Sequence, residues 1–214
     1  MKISVEKELI ILFGNYPELT GCRDCILAAF NVMRECYQSG GLIMTCGNGG
    51  SASDASHIVG ELMKSFKCKR PLSEGQRNRL LSLFPQEGTM LAENLQQAVP
   101  ALALTDQVAL NTAYLNDVSS DMIFAQQVFG YGKKGDVLIG ISTSGNSHDV
   151  VNACKVAKTF GIHTIALTGE KGGLLADICE VTITVPALET YRVQEYHLPI
   201  YHTLCAMLEC EFWG

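Results

Sequence analysis

A strand-like apolar run that leads into a glycine- and hydroxyl-rich turn, and then into a helical pattern, occurs twice in this sequence. Residues 41–46 are almost continuously apolar and run into Gly47-Asn-Gly-Gly-Ser51. Residues 135–141 repeat the pattern and run into Ser142-Thr-Ser-Gly-Asn-Ser147. Continuous apolar runs of this length are typical of strands buried on both faces of a parallel sheet. The two units therefore predict an α/β fold.

Three further apolar runs complete the predicted sheet. They cover residues 101–105, 162–168 and 181–185, and helical patterns separate them. This alternation predicts a doubly wound, five-stranded parallel sheet with helices on both faces. In the flavodoxin-like strand order 2-1-3-4-5, the first and third strands lie where the winding reverses, which is where ligands bind. The two polar turns are then expected to face one crevice.

The length of 214 residues is that of one α/β domain. Residues 1–40 are predicted to form an N-terminal helical segment, since apolar residues recur at helical spacing from Cys22 to Gln38. Residues 72–99 are predicted to be a helical insertion between core elements, broken at Pro85 and Gly88. A final helix is predicted over residues 190–212.

The composition argues against several classes of partner. A formal net charge of −6 and a pI near 5.3 do not suit a nucleic-acid surface or an anionic membrane. No apolar run approaches a membrane span, and residues 9–13 are too short a run for a signal peptide. Nine scattered cysteines, an odd number, favour a reducing cytoplasm over a disulfide framework. Cys22 and Cys25 form a lone CxxC pair, for which two apolar helix residues are favoured over a redox site.

The first polar turn combines three glycines with hydroxyl groups. Glycine allows positive φ and a close approach to a ligand, and Ser51 and Ser53 are candidate N-caps of the helix that follows. His57 and Glu61 lie four residues apart, so on that helix they share one face. The spacing suits one metal or one substrate, and an exposed helix pair is the alternative.

The second polar turn, residues 142–147, offers four hydroxyl groups at the start of a helix. Such a turn can surround a phosphate with neutral donors, and a solvated turn with an N-cap is the alternative. It matches neither GxGxxG nor the Walker A motif, so no nucleotide cofactor is expected. The last predicted helix is unusually polar, with Gln194, Glu195, His197 and His202 around Pro199.

Together these motifs resemble the sugar isomerase (SIS) domain family and, within it, the phosphoheptose isomerases. The similarity runs from about residue 22 to 209, outside the predicted insertion. The matching segments are Gly47–Ser51, His57 with Glu61, Asn116-Asp117, residues 140–147, residues 167–169, and Arg192-Val-Gln-Glu195 with His202.

The resemblance implies a SIS fold and a set of site residues. By position, the phosphate contacts of the family fall on Ser142, Thr143, Ser144 and Ser147, and its sugar contacts on Asn48, Gly49, Gly50, Ser51, Asp106 and Gln194. Zinc, in members that bind it, is held by residues matching His57, Glu61, Gln194 and His202, of which Glu61 and His202 also match the catalytic base and acid. The chain departs from the family at Tyr191, where aspartate is common, and at Ser65, where arginine is common.

The reaction that the resemblance implies is the isomerisation of sedoheptulose 7-phosphate to glycero-manno-heptose 7-phosphate through an enediol. Glu61 would move the proton between C1 and C2, and His202 would protonate the carbonyl oxygen. A zinc ion could stabilise the enediolate, although Glu61 would then be both ligand and base. The alternatives are a non-enzymatic SIS binding module of the replication-initiator-associating type and a phosphosugar sensor.

Helix geometry adds one expectation about assembly. Gln194 and His202 lie eight residues apart, which is roughly 12 Å along a straight helix. One metal would not easily reach both, so we expect a site at a subunit interface or a helix distorted at Pro199. The resemblance suggests a homotetramer.

Overall fold

The computed structural model describes residues 2–214, and its core is a five-stranded parallel sheet. The strand order is β2-β1-β3-β4-β5, which confirms the predicted doubly wound fold. Register pairs Ile43 with Ala101 on one side and with Val137 on the other. The strands are β1 (Ile43–Gly47), β2 (Ala101–Ala103), β3 (Val137–Ile141), β4 (His163–Thr168) and β5 (Val181–Thr184).

Helices cover both faces of the sheet. They are α1 (Ile3–Asn15), α2 (Arg23–Gln38), α3 (Gly50–Met63), α4 (Glu74–Leu83), α5 (Gly88–Asn94), α6 (Val108–Asp117), α7 (Ile123–Tyr131), α8 (His148–Thr159), α9 (Gly173–Ile178) and α10 (Thr190–Trp213). Short 3-10 turns occupy Pro17–Cys22, Leu104–Asp106 and Ser120–Met122.

Alternate strand residues supply two separate apolar cores. Ile43 of β1 faces the core that α1, α2, α3 and α10 cover, while Met44 faces the core under α7, α8 and α9. In β3, Val137 and Leu138 divide in the same way. Because both faces are buried, the strands read as continuous apolar runs rather than as alternating ones.

The predicted element boundaries differ from the structure mainly at the second strand. The apolar run predicts a strand over residues 101–105, but β2 ends at Ala103 and the chain turns into the 3-10 helix Leu104–Asp106. The last predicted helix extends one residue further, to Trp213, and continues through Pro199. Among residues 2–214, no helix combines the length and apolar character that a membrane span requires.

The segment predicted as an insertion, residues 72–99, contains α4 and α5. Ser73 caps α4 through a capping box with Gln76, and none of the α4 residues is buried. Leu83, Phe84 and Met90 are each at least half exposed. The structure gives this segment two helices on either side of Pro85, but α5 begins at Gly88, where a break was predicted, and ends at Asn94. The status of the segment as an insertion stays a prediction. The N-terminal segment is helical over α1 and α2, and Met1 lies outside the described residues.

Candidate active site

The first polar turn connects β1 to α3 through glycines that the geometry requires. Gly49 has φ +56°, in the left-handed region that favours glycine. A Cβ on Gly47 would lie 2.7 Å from the Ser51 carbonyl oxygen. The helix begins at Gly50 with Gly49 as its N-cap, so the prediction that Ser51 or Ser53 caps it is wrong. The tight glycine turn reaches helical geometry before either serine, and the Ser51 side chain is buried.

The second polar turn connects β3 to α8. The hydroxyl groups of Ser142 and Ser147 lie 2.9 Å apart across it, and Ser147 occupies the N-cap position of α8. Gly145 has φ +69° and abuts the backbone of Gly172 in the loop after β4. That loop braces the turn, since the Gly169 N–H donates to the Thr143 carbonyl at 3.0 Å. Thr143 and Ser144 line a surface cavity together with Gly169 and Lys171 of the bracing loop and Ala187 of the segment after β5.

The two polar turns meet, as predicted, at the carboxyl ends of the neighbouring strands β1 and β3. The Asn48 amide donates to both carboxylate oxygens of Asp149, at 3.0 and 2.9 Å. Sequence reasoning did not single out Asp149. Its position in the first turn of the helix after the second polar turn was the only available signal.

Three candidate metal or acid/base residues converge where α3 lies beside α10. Nε2 of His57 is 3.2 Å from Oε1 of Glu61 and 3.4 Å from Nε2 of His202. One ligand atom from each residue lies within 4.8 Å of the others. The Glu61 side chain is 13% exposed. Burial lowers the pKa of the His202 imidazole and His57 lowers it further, whereas Glu61 opposes the shift.

Gln194, the fourth predicted ligand, lies elsewhere. Its amide packs against Gly50, where a Cβ would come within 2.5 Å of the Gln194 Nε2 atom. His57 follows Gly50 by seven residues, about 10 Å of helix rise. The side-by-side packing of α3 and α10 thus places Gln194 beside the start of α3, and places His202 beside His57 and Glu61. The described chain brings together three of the four residues predicted to bind zinc.

Behind the cluster lies a hydrogen-bonded pair that the sequence did not reveal. The Tyr201 hydroxyl is 3.0 Å from Nδ1 of His57 and donates to Oδ1 of Asp54 at 3.2 Å. Burial raises the pKa of the Tyr201 phenol, and Asp54 raises it further. Asp54 precedes His57 by one helical turn, which was the only local signal for its role.

The remaining predicted residues lie around this arrangement. Asp106 follows β2 and accepts a hydrogen bond from Ser56 of α3 at 2.7 Å, beside His57. Ser65 accepts one from the Arg70 backbone, and Tyr191 is exposed at the start of α10. Next to His202, an open groove is lined by Ile11, Tyr16, Phe66 and Leu198, among others.

Comparison with known proteins identifies the protein family to which this chain belongs. The SIS domain family model matches residues 20–77 and 80–169, which defines the chain as a SIS-domain protein. A phosphoheptose isomerase from Akkermansia muciniphila is 32% identical over 210 residues, covering 98% of this chain and 97% of the relative. One from Nitratiruptor sp. is 39% identical over 209 residues, covering 97% and 98%. The chain belongs to the phosphoheptose isomerase branch of the SIS family.

Solved structures agree with this assignment. Phosphoheptose isomerase GmhA from Neisseria gonorrhoeae superposes with a TM-score of 0.70 at 32% identity, covering 92% of this chain and 95% of that one. The phosphoheptose isomerase from Francisella tularensis gives a TM-score of 0.73 at 28% identity, covering 97% and 98%.

Proposed function

We propose that the protein is an aldose–ketose isomerase that interconverts sedoheptulose 7-phosphate and glycero-manno-heptose 7-phosphate through an enediol. Its relatives across nearly the whole chain are phosphoheptose isomerases. The observation that carries the proposal is the largely buried Glu61 carboxylate facing His202 across the α3–α10 contact. A carboxylate and an imidazole at this spacing are the two groups that proton transfer between adjacent carbons requires.

Glu61 is the proposed base. It removes the proton from the carbon next to the carbonyl and returns it to the former carbonyl carbon, so that one carboxylate serves both directions. His202 gives a proton to the carbonyl oxygen and takes the proton of the neighbouring hydroxyl when the new carbonyl forms, so that it returns to its starting state. No atom is gained or lost, and the sugar changes only in the position of its carbonyl group.

The proposed phosphate site is the second polar turn, with Ser142, Thr143, Ser144 and Ser147 as donors. The 2.9 Å approach of the Ser142 and Ser147 hydroxyls and the N-terminus of α8 support this role, since helix N-termini favour anions. The proposed sugar contacts are Asn48, Gly49, Gly50, Ser51, Asp106 and Gln194, which border the first turn and the adjoining face of α3.

Zinc is proposed as the metal. Two imidazole nitrogens and a carboxylate oxygen within 4.8 Å form a donor set that suits it, so His57, Glu61 and His202 fit the ion. Gln194 is the proposed fourth ligand, and it would have to move away from Gly50 to reach the other three. Bound zinc would supply Lewis-acid stabilisation of developing negative charge on the substrate oxygens, and Glu61 and His202 would have to leave the ion to act as base and acid.

The proposed molecule is a single SIS domain over residues 1–214, with residues 72–99 as a helical insertion, and it acts in the cytoplasm as a homotetramer. Nine free cysteines support a reducing compartment.

The groove beside His202 supports an interface at the site, because Ile11 is 51% exposed and Leu198 40% exposed there. A neighbouring subunit would cover these side chains and complete the site.

The test is proton exchange from deuterated water into sedoheptulose 7-phosphate, followed by NMR. We expect exchange and product formation with the wild type and a loss of at least about 100-fold with Glu61→Gln. Glu35→Gln, at an exposed position on α2, is the matched control and retains activity. Binding of the sugar phosphate by the wild type without any exchange would contradict the proposal and indicate a binding module or sensor.

A further inference from the structure

Tyr201 connects a residue of the candidate metal cluster to a carboxylate that the proposed reaction does not use. The tyrosine is 1% exposed, and its hydroxyl lies 3.0 Å from Nδ1 of His57 and 3.2 Å from Oδ1 of Asp54. Its ring also meets the His57 ring edge-on, with centroids 5.4 Å apart and an interplanar angle of 72°. The tyrosine thus holds the imidazole by packing and by a hydrogen bond.

The hydrogen-bonding properties of Asp54, Tyr201 and His57 indicate which atoms carry the protons between them. An ionised carboxylate only accepts hydrogen bonds, so the Tyr201 hydroxyl donates its one proton to Asp54. The phenol oxygen then remains as an acceptor, so the His57 tautomer that can hydrogen-bond to it is the one with a proton on Nδ1. Nε2, the other ring nitrogen, faces Glu61 at 3.2 Å and His202 at 3.4 Å. A metal in the cluster would bind at Nε2.

We propose that Asp54 and Tyr201 are positioning residues that keep a proton on Nδ1 of His57, so that Nε2 is the nitrogen offered to the metal. The inference rests on the zinc site of the proposed function. Metal-binding histidines commonly donate their second ring N–H to an acceptor that fixes the tautomer and the ring orientation, and loss of that acceptor typically weakens metal binding 10–100-fold. Here the acceptor is a phenol oxygen oriented by a carboxylate.

Removal of the Tyr201 hydroxyl leaves the Glu61 carboxylate as the preferred acceptor for the His57 N–H group. In Tyr201→Phe, Nδ1 loses the phenol oxygen as its acceptor, while a Glu61 carboxylate oxygen lies 3.2 Å from Nε2 and could accept a proton placed there. The proton is then expected to move to Nε2, where zinc must displace it. Phenylalanine keeps the ring that packs against His57, so the change is confined to the hydroxyl group.

The experiment measures the tautomer and the metal affinity separately. Two-bond proton–nitrogen NMR spectra of the metal-free protein, with histidine labelled by nitrogen-15, report which nitrogen of His57 is protonated. Competition with a chromophoric chelator gives the zinc dissociation constant. Tyr196→Phe is the matched control, because its hydroxyl also lies on α10 but donates to Glu18 at 3.0 Å. Asp54→Asn provides a second variant with the tyrosine intact.

We expect a protonated Nδ1 in the wild type and in Tyr196→Phe. Tyr201→Phe is expected to shift the proton to Nε2 and to bind zinc about 10–100-fold more weakly, with Asp54→Asn affected in the same direction. Unchanged His57 protonation and zinc affinity in Tyr201→Phe would overturn the inference. A wild type that binds no zinc but keeps the Nδ1 proton would instead overturn the zinc proposal and leave the positioning role intact.

Discussion

Arg70 and Glu209 form an ion pair in the interior of the protein, with Nε of the guanidinium 2.7 Å from Oε1 of the carboxylate and both side chains no more than 1% exposed. The guanidinium also donates to the backbone carbonyls of Leu62 and Glu61 at the end of α3, at 2.7 and 3.1 Å. The pair therefore joins the end of the helix that carries Glu61 to the helix that carries His202.

Arg70→Met is expected to lower the free energy of unfolding by about 3–5 kcal/mol, because it leaves the Glu209 carboxylate buried without its counter-ion. Chemical denaturation measures the change. Arg192→Met is the matched control, since Arg192 pairs with Glu195 on the exposed face of α10 and its loss should lower stability far less than the loss of Arg70. Equal effects of the two substitutions would contradict the buried pair's role.

Glu209 is expected to make stability sensitive to acid. Burial raises the pKa of this carboxyl, but the backbone N–H groups of Phe66, Lys67 and Cys68 and the Arg70 guanidinium together lower it below its ordinary value of 4.5. A lowered folded-state pKa contributes stability above pH 4.5 that is lost as the pH falls through the folded-state value. The difference in denaturation midpoint between the wild type and Glu209→Gln should therefore become smaller below pH 4.5. A difference that does not change with pH would refute the assignment of this acid sensitivity to Glu209.

His197 is expected to make the stability of the fold depend on pH in a higher pH range than Glu209 does. It is fully buried, and neither ring nitrogen has a hydrogen-bond partner within residues 2–214. Burial lowers its pKa to about 4, although the nearby Thr168 backbone opposes the shift. The unfolded chain takes up a proton near pH 6.5 and the folded one near 4, so stability declines as the pH falls between these values, by up to about 3 kcal/mol. His197→Leu should flatten the slope of unfolding free energy over that window. A slope as steep as that of the wild type would contradict the assignment to His197.

Gly145→Ala is expected to damage the proposed phosphate site. The residue has φ +69°, and a Cβ would collide with the Gly172 carbonyl, so both the turn and its bracing loop must shift. We expect a rise in KM for the sugar phosphate of about 10-fold or more, together with a lower thermal midpoint. Gly14→Ala, in α1 with nothing within 4 Å of the added methyl group, is the control and should be neutral or slightly stabilising. A KM unchanged by Gly145→Ala would argue against a role of this turn in binding.

The fold was predictable because the physical cause of each strand is local. The runs that contain Ile43 and Val137 are apolar at almost every position, since both faces of the sheet are covered, and the polar turns mark where each strand ends. The end of β2 was not predictable in this way, because Leu104 stays buried and apolar after the chain has left the sheet.

The site was predictable only in part. His57 and Glu61 share a helix face through a local spacing, whereas His202 comes from 145 residues further along the chain and entered through a family resemblance. The contact of Tyr201 with Asp54 spans 147 residues and leaves no periodic signal in the sequence. Gln194 was predicted as a ligand, but in the structure its amide lies against Gly50 instead. Its distance from the cluster depends on how α10 is shifted along α3, which the sequence does not reveal.

The position of α10 after all five strands in the chain order has a consequence for synthesis. All five strands and α3 leave the ribosome before Thr190, yet His202, Tyr201 and Glu209 arrive only with the last helix. Until then the core that includes Val193 and Ile200 lacks its contacts with α10, and Glu61 has no partner from that helix. A nascent chain without α10 therefore cannot assemble the cluster, and the proposed site forms in the same step that completes this core.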